Sequence, residues 1–358
     1  MIARARRQDW FLYGAVFLLA VMSLIAIGSA NPRLFFPQLI WFGLGFLALF
    51  FFSNLDWRPI INYRWIVFGM YGLVLVLLAF TVFVSPSIRG VKGWLVLGSL
   101  RFQVSELAKV AVLILLAHFF ARKHVGIANV HNIIRSFVYV ILPTILVMKE
   151  PDLGSALVFF GIWVGFLLVS GLRAKHFLIG VFVVIFIFTL SWNFFLRDYQ
   201  RERVVGFWRP AYDPLGINYS VIQSKIAIGS AGFFGKGFQQ GTQVQLGFLP
   251  EAATDFIFAA FVEEWGYAGM LFLIGLFLFI IYRILKIGWH APNNFSRFIC
   301  LGTVLMFMVE FFLNVGSNIG LVPVVGITFP LFSYGGSSLL TKFMALGIIQ
   351  SIAGRSLF

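Results

Sequence analysis

Cysteine is almost absent: Cys300 is the only one in 358 residues. That excludes a disulfide within the chain and any site built on several cysteine ligands. Charge is scarce as well. Charged residues make up 11% of the chain and only 13 of them are acidic, whereas soluble domains carry about 25% charged residues. The five histidines do not cluster, so neither a histidine metal site nor a Ser-His-Asp set can be read from them. No internal repeat is visible, which removes the sequence mark of an inverted-repeat transporter. The phosphate-loop pattern G-x-x-x-x-G-K-[ST] fails too. The nearest stretch has Ser230 in place of its first glycine and Gly237 in place of its hydroxyl residue.

What the chain has in excess is apolar surface: 60% hydrophobic and 18% aromatic residues, 45 of them phenylalanine. The apolar residues come in runs of about 20, enough for a helix to cross a hydrocarbon core of about 30 Å. The expectation is a single all-α polytopic membrane domain over residues 1–358, with ten spans at 10–29, 34–53, 65–84, 105–121, 136–149, 154–171, 176–196, 255–282, 297–322 and 332–353. The basic, then apolar, then small-residue N-terminus resembles a signal peptide, but its apolar run is long and further spans follow, so it reads as an uncleaved first span. The net charge of +14 is no argument for nucleic acid, because Lys and Arg sit mostly in short loops, where they set orientation. Basic residues at Arg4, Arg6, Arg7, Arg58, Arg64, Arg122, Lys123, Arg135, Arg173, Lys175, Arg283, Lys286, Arg297 and Arg355 favour both termini in the cytoplasm. The long loop 197–254, between spans seven and eight, then lies outside. Glu106, Glu150, Asp152, Asp198, Glu202, Asp213, Glu251 and Asp255 gather on or near that outer face. No ATP is available there, so any reaction must use a substrate that is already activated.

Several stretches on that face could carry chemistry, and each has a plainer reading beside it. In "RGVKGWLVLGSLRFQVSELAK", 89–109, the apolar centre suits a segment lying in the interface. Ser105 is a plausible N-cap, and Glu106 and Lys109 stand at i,i+3, either as an ordinary intrahelical pair or as part of a site. In "KEPDLGSAL", Asp152 is a turn and N-cap aspartate or a cavity residue. The glycines of the loop, from Gly229 to Gly247, allow close backbone approach to a ligand, or simply flexibility. In "FLPEAATDFIFAAFVEEW", Thr254 or Asp255 can cap the eighth span, and Glu263 and Glu264 need partners at membrane depth. Between the last two spans, "NVGSNIGLVPVVGITFPLFSYGGSSLL" is rich in Gly, Pro, Ser and Asn. Non-helical backbone near membrane depth survives only where it is buried in protein or lines a wet cavity.

Singly these signals are weak. In order, "FQVSELAK", "EPDLGSAL", "QSKIAIGSAGFFGKGFQQGTQ", "FLPEAATDFIFAAFVEEWGYAG" and "GLVPVVGITFPLFSYGGSSLL" resemble the SEDS family (shape, elongation, division and sporulation). The chain departs from the usual pattern at Gly93, Val104 and Ala253 and in "GITFPLF", without losing a charged candidate. The resemblance implies a ten-span fold and peptidoglycan glycosyltransferase activity on lipid II, a disaccharide-peptide on undecaprenyl diphosphate, at the outer face of the bacterial cytoplasmic membrane. It also implies a class B penicillin-binding protein as crosslinking partner. "FQVSELAK", a short N-terminus and the lack of a C-terminal tail favour the elongation branch over the division branch. An acceptor sugar hydroxyl must lose its proton to a carboxylate, and cations must stabilise the leaving diphosphate. Asp255 matches the family's catalytic aspartate and is assigned the base; partial desolvation at a membrane-helix start would strengthen it. Arg101, Lys109 and Lys225 are candidates for diphosphate contacts, Glu106 for holding Lys109, and Asp152 for ordering the cavity. A divalent cation, magnesium or manganese, is compatible with a diphosphate, but the sequence shows no ligands for one. The competing readings are a lipid II flippase, which should show polar groups along a path between the faces, and a non-catalytic scaffold, which would make Asp255 dispensable.

Overall fold

The computed structural model describes residues 8–57, 63–86, 92–97, 100–123, 129–180, 182, 201, 205–209, 213–216 and 218–355. Its helices are α1 (Trp10–Ala30), α2 (Phe35–Asn54), α3 (Arg64–Val84), α4 (Val104–Lys123), α5 (Val130–Lys149), α6 (Leu153–Val169), α7 (Tyr219–Gly229), α8 (Ile257–Trp289), α9 (Asn294–Ile319) and α10 (Gly336–Ala353). Among the described residues eight helices are long and apolar enough to cross a membrane, and α6, at 17 residues, is a shorter apolar one. Most of the expected seventh span, 176–196, and much of the charged start of the following loop lie outside the described residues; 174–180 are helical. The chain is a multi-pass helical membrane protein.

Each outer helix is apolar on both sides, for different reasons. On α1, Leu12, Val16, Leu19, Ser23 and Ile27 recur every three or four residues and are buried, while Phe11, Phe17, Val21 and Ile25 face outward and are exposed. An outward face this apolar fits lipid, and the inward face differs by its small and polar members rather than by hydrophobicity. At the centre stands α4, buried along almost its whole length from Val104 to Phe120 and packed against α3, α5, α6, α9 and α10. Helices come close where a side chain is missing. A Cβ at Gly161 or Gly165, one turn apart on α6, would lie 2.6 Å from Val309 or 2.5 Å from Leu305 of α9. This is the small-xxx-small device of membrane bundles.

The structure corrects two expectations and adds detail to a third. The segment read as suited to the interface holds two antiparallel strands, β1 (Trp94–Leu97) and β2 (Leu100–Gln103), with Trp94 opposite Gln103 and Val96 opposite Arg101. It is tied down by Ser85 Oγ donating to Trp94 O at 2.8 Å and Val104 N to Gly93 O at 3.0 Å. The fifth span begins at Val130, not 136, because Asn129 caps a polar first turn that no apolar count detects. The eighth span is broken at Gly266, whose φ of 68° and ψ of −170° no helix accommodates.

That break has a specific repair. A straight helix would join Tyr267 N to Glu263 O and Ala268 N to Glu264 O. Here Lys236 N and Gly237 N donate to Glu263 O and Glu264 O, both at 3.0 Å, while Tyr267 N and Ala268 N donate to Gly232 O and Phe233 O at 3.1 and 2.9 Å. Two helical bonds are exchanged for four bonds to the loop, so each of the four groups parted there finds a new partner. The approach is so close that a Cβ at Gly235 would sit 2.1 Å from Glu264 O, and one at Gly266 2.3 Å from Gly235 N.

Candidate active site

The motif residues converge at the end of the bundle where the hairpin enters α4. Asp255 lies in the turn leading into α8 and is half-buried. The expected local cap is not what holds it. The cap position of α8 is Phe256, with no side-chain cap bond, and the Thr254 hydroxyl turns back to Glu251 Oε2 at 2.8 Å. Three successive carbonyls are gripped from elsewhere instead. Ala253 O accepts from Tyr334 N at 2.9 Å, Thr254 O from Ser333 Oγ at 2.7 Å, and Asp255 O from Asn314 Nδ2 at 2.9 Å and Asn318 Nδ2 at 2.8 Å.

One helical turn below Asn314 on α9, Glu310 sits in a buried cluster of charges. Lys109 Nζ donates to Glu106 Oε1 and to Glu310 Oε1, each at 2.9 Å. Lys342 Nζ of α10 lies 3.1 Å from Glu310 Oε2 and donates to Ser338 Oγ. Lys109 is 1% exposed, Lys342 2% and Glu310 0%. Two carboxylates and two ammonium groups make a neutral quartet, the arrangement in which buried charge is tolerable. The Glu106–Lys109 pair expected at i,i+3 is thus present, but Lys109 is enclosed. Its ammonium lies between the two carboxylates and ties α4 to α9, while Lys342 ties α10 to the same Glu310.

Asp152 combines its two sequence readings. Its Oδ1 accepts from Ser155 N at 2.9 Å as the cap of α6, while Oδ2 accepts from Ser155 Oγ at 2.7 Å and from Ser105 Oγ and Gln103 Nε2 at 3.0 Å. It therefore joins α6 to β2 and to the start of α4, beside Glu106. Nearby Glu150 is fully buried, with Oε1 accepting from Thr81 Oγ1 at 2.5 Å and Oε2 without a partner; burial pushes its carboxyl up to about 7. Arg101, on β2, and Lys225, on α7, are both exposed. The Lys225 side chain packs on Gly320, at the end of α9.

Glu263 and Glu264 have the partners their depth demands. Glu263 Oε1 accepts from Lys236 Nζ at 2.7 Å, Gln243 N at 3.0 Å and Thr242 Oγ1 at 3.2 Å. Glu264 accepts from Ser29 Oγ of α1. Beside this anchor a cavity of about 420 Å³ is lined by Leu24, Ile25, Gly28, Pro32, Phe35, Phe36 and Phe238. It is wholly apolar in character and shares no residue with the charge cluster. Among the described residues no three His, Cys, Asp or Glu side chains converge as a ligand set.

Sequence reasoning missed Lys342 and the partnership of Lys236 with Glu263. A signal for the first existed: a single lysine within the apolar run "LLTKFMAL" must be matched by a carboxylate, and Glu310 was the buried acid left over.

Comparison with known proteins agrees with this geometry. The family model FtsW/RodA/SpoVE, described as cell cycle protein, matches residues 6–356. The chain is similar to the peptidoglycan glycosyltransferase MrdB of Escherichia coli, 42% identical over 288 residues that cover 78% of this chain and 75% of that one. Among solved structures it resembles a chain from a peptidoglycan synthase complex that coordinates polymerization and crosslinking, with TM-score 0.82, 33% identity and coverage of 99% and 98%. It also resembles the Thermus thermophilus rod shape determining protein RodA, with TM-score 0.72, 28% identity and coverage of 98% and 97%.

Proposed function

Because the chain belongs to the FtsW/RodA/SpoVE family of cell cycle proteins, we propose that it works at the hairpin end of its bundle, on the outer face of a bacterial cytoplasmic membrane. It is a peptidoglycan glycosyltransferase, as its curated relatives are named, of the kind that acts in cell elongation. The substrate is lipid II, in which the sugar is already activated by its undecaprenyl diphosphate. An acceptor hydroxyl oxygen attacks the anomeric carbon, the carbon–oxygen bond to the diphosphate breaks, and its electron pair leaves with the diphosphate. The hydroxyl proton passes to the Asp255 carboxylate.

One observation carries the choice of Asp255. Glu106, Asp152, Glu263 and Glu264 are buried, whereas Asp255 keeps partial access to solvent while its backbone carbonyl is clamped. A base must be both reachable and fixed. Arg101 on β2 and Lys225 beside the end of α9, both exposed, supply cations for the leaving diphosphate. The apolar groove at Leu24, Phe35 and Phe238 suits part of the prenyl chain. The crosslinking partner is a class B penicillin-binding protein; the similarity to a chain of a synthase complex supports this.

The test uses the purified protein with a class B partner and labelled lipid II, comparing wild type with Asp255→Ala on gels. Polymer from wild type and none from a folded mutant supports the base. Equal polymer from both returns Asp255 to a structural role. No polymer from a folded, partnered wild type favours the flippase or the scaffold.

A further inference from the structure

We propose that Asn314 and Asn318 are positioning residues for glycosyl transfer, fixing through its own backbone where the Asp255 carboxylate meets the acceptor. The inference rests on Asp255 being the base. Both carboxamides are buried, at 1% and 0% exposure, and burying an amide is unfavourable unless its hydrogens find acceptors. All of theirs do. Asn314 Nδ2 donates to Asp255 O at 2.9 Å and to Ile327 O at 2.8 Å; Asn318 Nδ2 donates to Asp255 O and to Asn314 O, both at 2.8 Å.

The two side chains converge on one carbonyl from adjacent turns of α9. Asn318 Oδ1 in addition accepts from Ala259 N at 3.1 Å. Ala259 is the third residue of α8, so its amide is one of the donors a helix start leaves orphaned. A residue of α9 therefore supplies the cap that Thr254 and Asp255 were expected to supply locally. The helix that caps the start of α8 is therefore the one that holds the Asp255 backbone. The frame that sets it is stiff: Glu310, one turn deeper on the same helix, is pinned by Lys109 and Lys342, and Ser224 Oγ of α7 holds Asn318 O at 2.8 Å. The carbonyl and the carboxylate of Asp255 share one Cα, so a shift of the first moves the second. Displacing a reacting group by about 1 Å costs on the order of 100-fold in rate.

The experiment measures kcat and KM for labelled lipid II in the partnered, full-length protein, for Asn314→Ala and Asn318→Ala. The expected result is a loss of about 10- to 100-fold in kcat with KM within about threefold of wild type. Asp255→Glu, which keeps a carboxylate one methylene further out, provides the second arm. If the carboxamides act through Asp255, either alanine costs far less in that background than alone. Wild-type kcat in both alanine variants overturns the proposal, and so does a loss that multiplies undiminished with Asp255→Glu. Should neither alanine variant fold, Asn318→Asp tests the same bond with the shape kept and the donor removed; unchanged kcat there, or failure of all three to fold, makes the pair structural and the proposal wrong. Full activity of Asp255→Ala would instead sink the base assignment, whatever the asparagines do.

Discussion

Replacing Lys342 by methionine tests whether the buried quartet is held by charge balance. The side chain keeps its length and apolar stem but loses the charge. At 3.1 Å from Glu310 Oε2, and with an effective dielectric near 20, the lost attraction is roughly 5 kcal/mol. Desolvating the ammonium offsets part of this in the folded protein. The stranded carboxylate adds to the loss, because Lys109 must then serve both Glu106 and Glu310. Breaking a buried pair from one side costs about 3–5 kcal/mol, and Lys342→Met should destabilise by that much in equilibrium unfolding in mixed micelles, followed by tryptophan fluorescence. Adding Glu310→Gln restores neutrality and should recover at least half of the loss, even though it removes another charged partner. A folded Lys342→Met protein within about 1 kcal/mol of wild type would refute the reasoning. So would a double mutant whose loss equals the sum of the two single losses, since additivity would mean the groups do not depend on each other's charge.

Two further outcomes follow from other parts of the fold. Gly266→Ala places a Cβ 2.3 Å from Gly235 N at a φ of 68°; it should cost at least about 1–3 kcal/mol and free loop 232–247 to protease before the bundle unfolds. Protection equal to wild type would mean that the break is not held by the loop. Glu150, with its carboxyl pushed up to about 7 from 4.5 by burial, prefers the neutral acid when folded. Its contribution to stability is whole below about pH 4.5 and is lost as pH rises to about 7, on the order of 3 kcal/mol in all. Glu150→Gln should flatten that part of the stability–pH curve, and an unchanged slope would exclude Glu150 as its source.

Eight of the ten expected spans match helices long and apolar enough to cross a membrane, and they were legible because an apolar run of about 20 residues has few other uses. The site was legible in its residues but not in its wiring. Glu106 with Lys109 follows from helical spacing, and Asp152 as a cap from the turn before it. The Asn318 cap on α8 could not be read, because the two residues stand 59 apart and no local rule connects them. The hairpin did leave a trace: Gly98-Ser99 between two short apolar stretches is a turn signal, hidden because the flanking residues also suit a membrane interface. The break in α8 left a weaker one, a lone glycine in "EEWGYAG", whose meaning depends on Gly235 approaching from a distant loop.

The polar residues at the hairpin end answer first to the backbone. Three non-helical stretches run there, at 232–237, at 250–256 and at 320–335, and carbonyls away from water need donors. The α8 break is served by the glycine loop, the Ala253–Asp255 carbonyls by Asn314, Asn318, Ser333 and Tyr334, and Ile327 O by Asn314. The buried charges answer to each other, Glu106 and Glu310 with Lys109 and Lys342, Glu263 with Lys236. The charged residues of the motif stretches that stay at least partly open to solvent include Lys92, Arg101, Lys149, Lys225 and Asp255, with Glu251 tied to Thr254. The transfer requires a proton acceptor at the attacking hydroxyl and positive charge for the diphosphate, and this set contains both. Burial thus narrows the choice that likeness makes, and the assignment would fail if Asp255 proved to be one more residue that only holds the backbone.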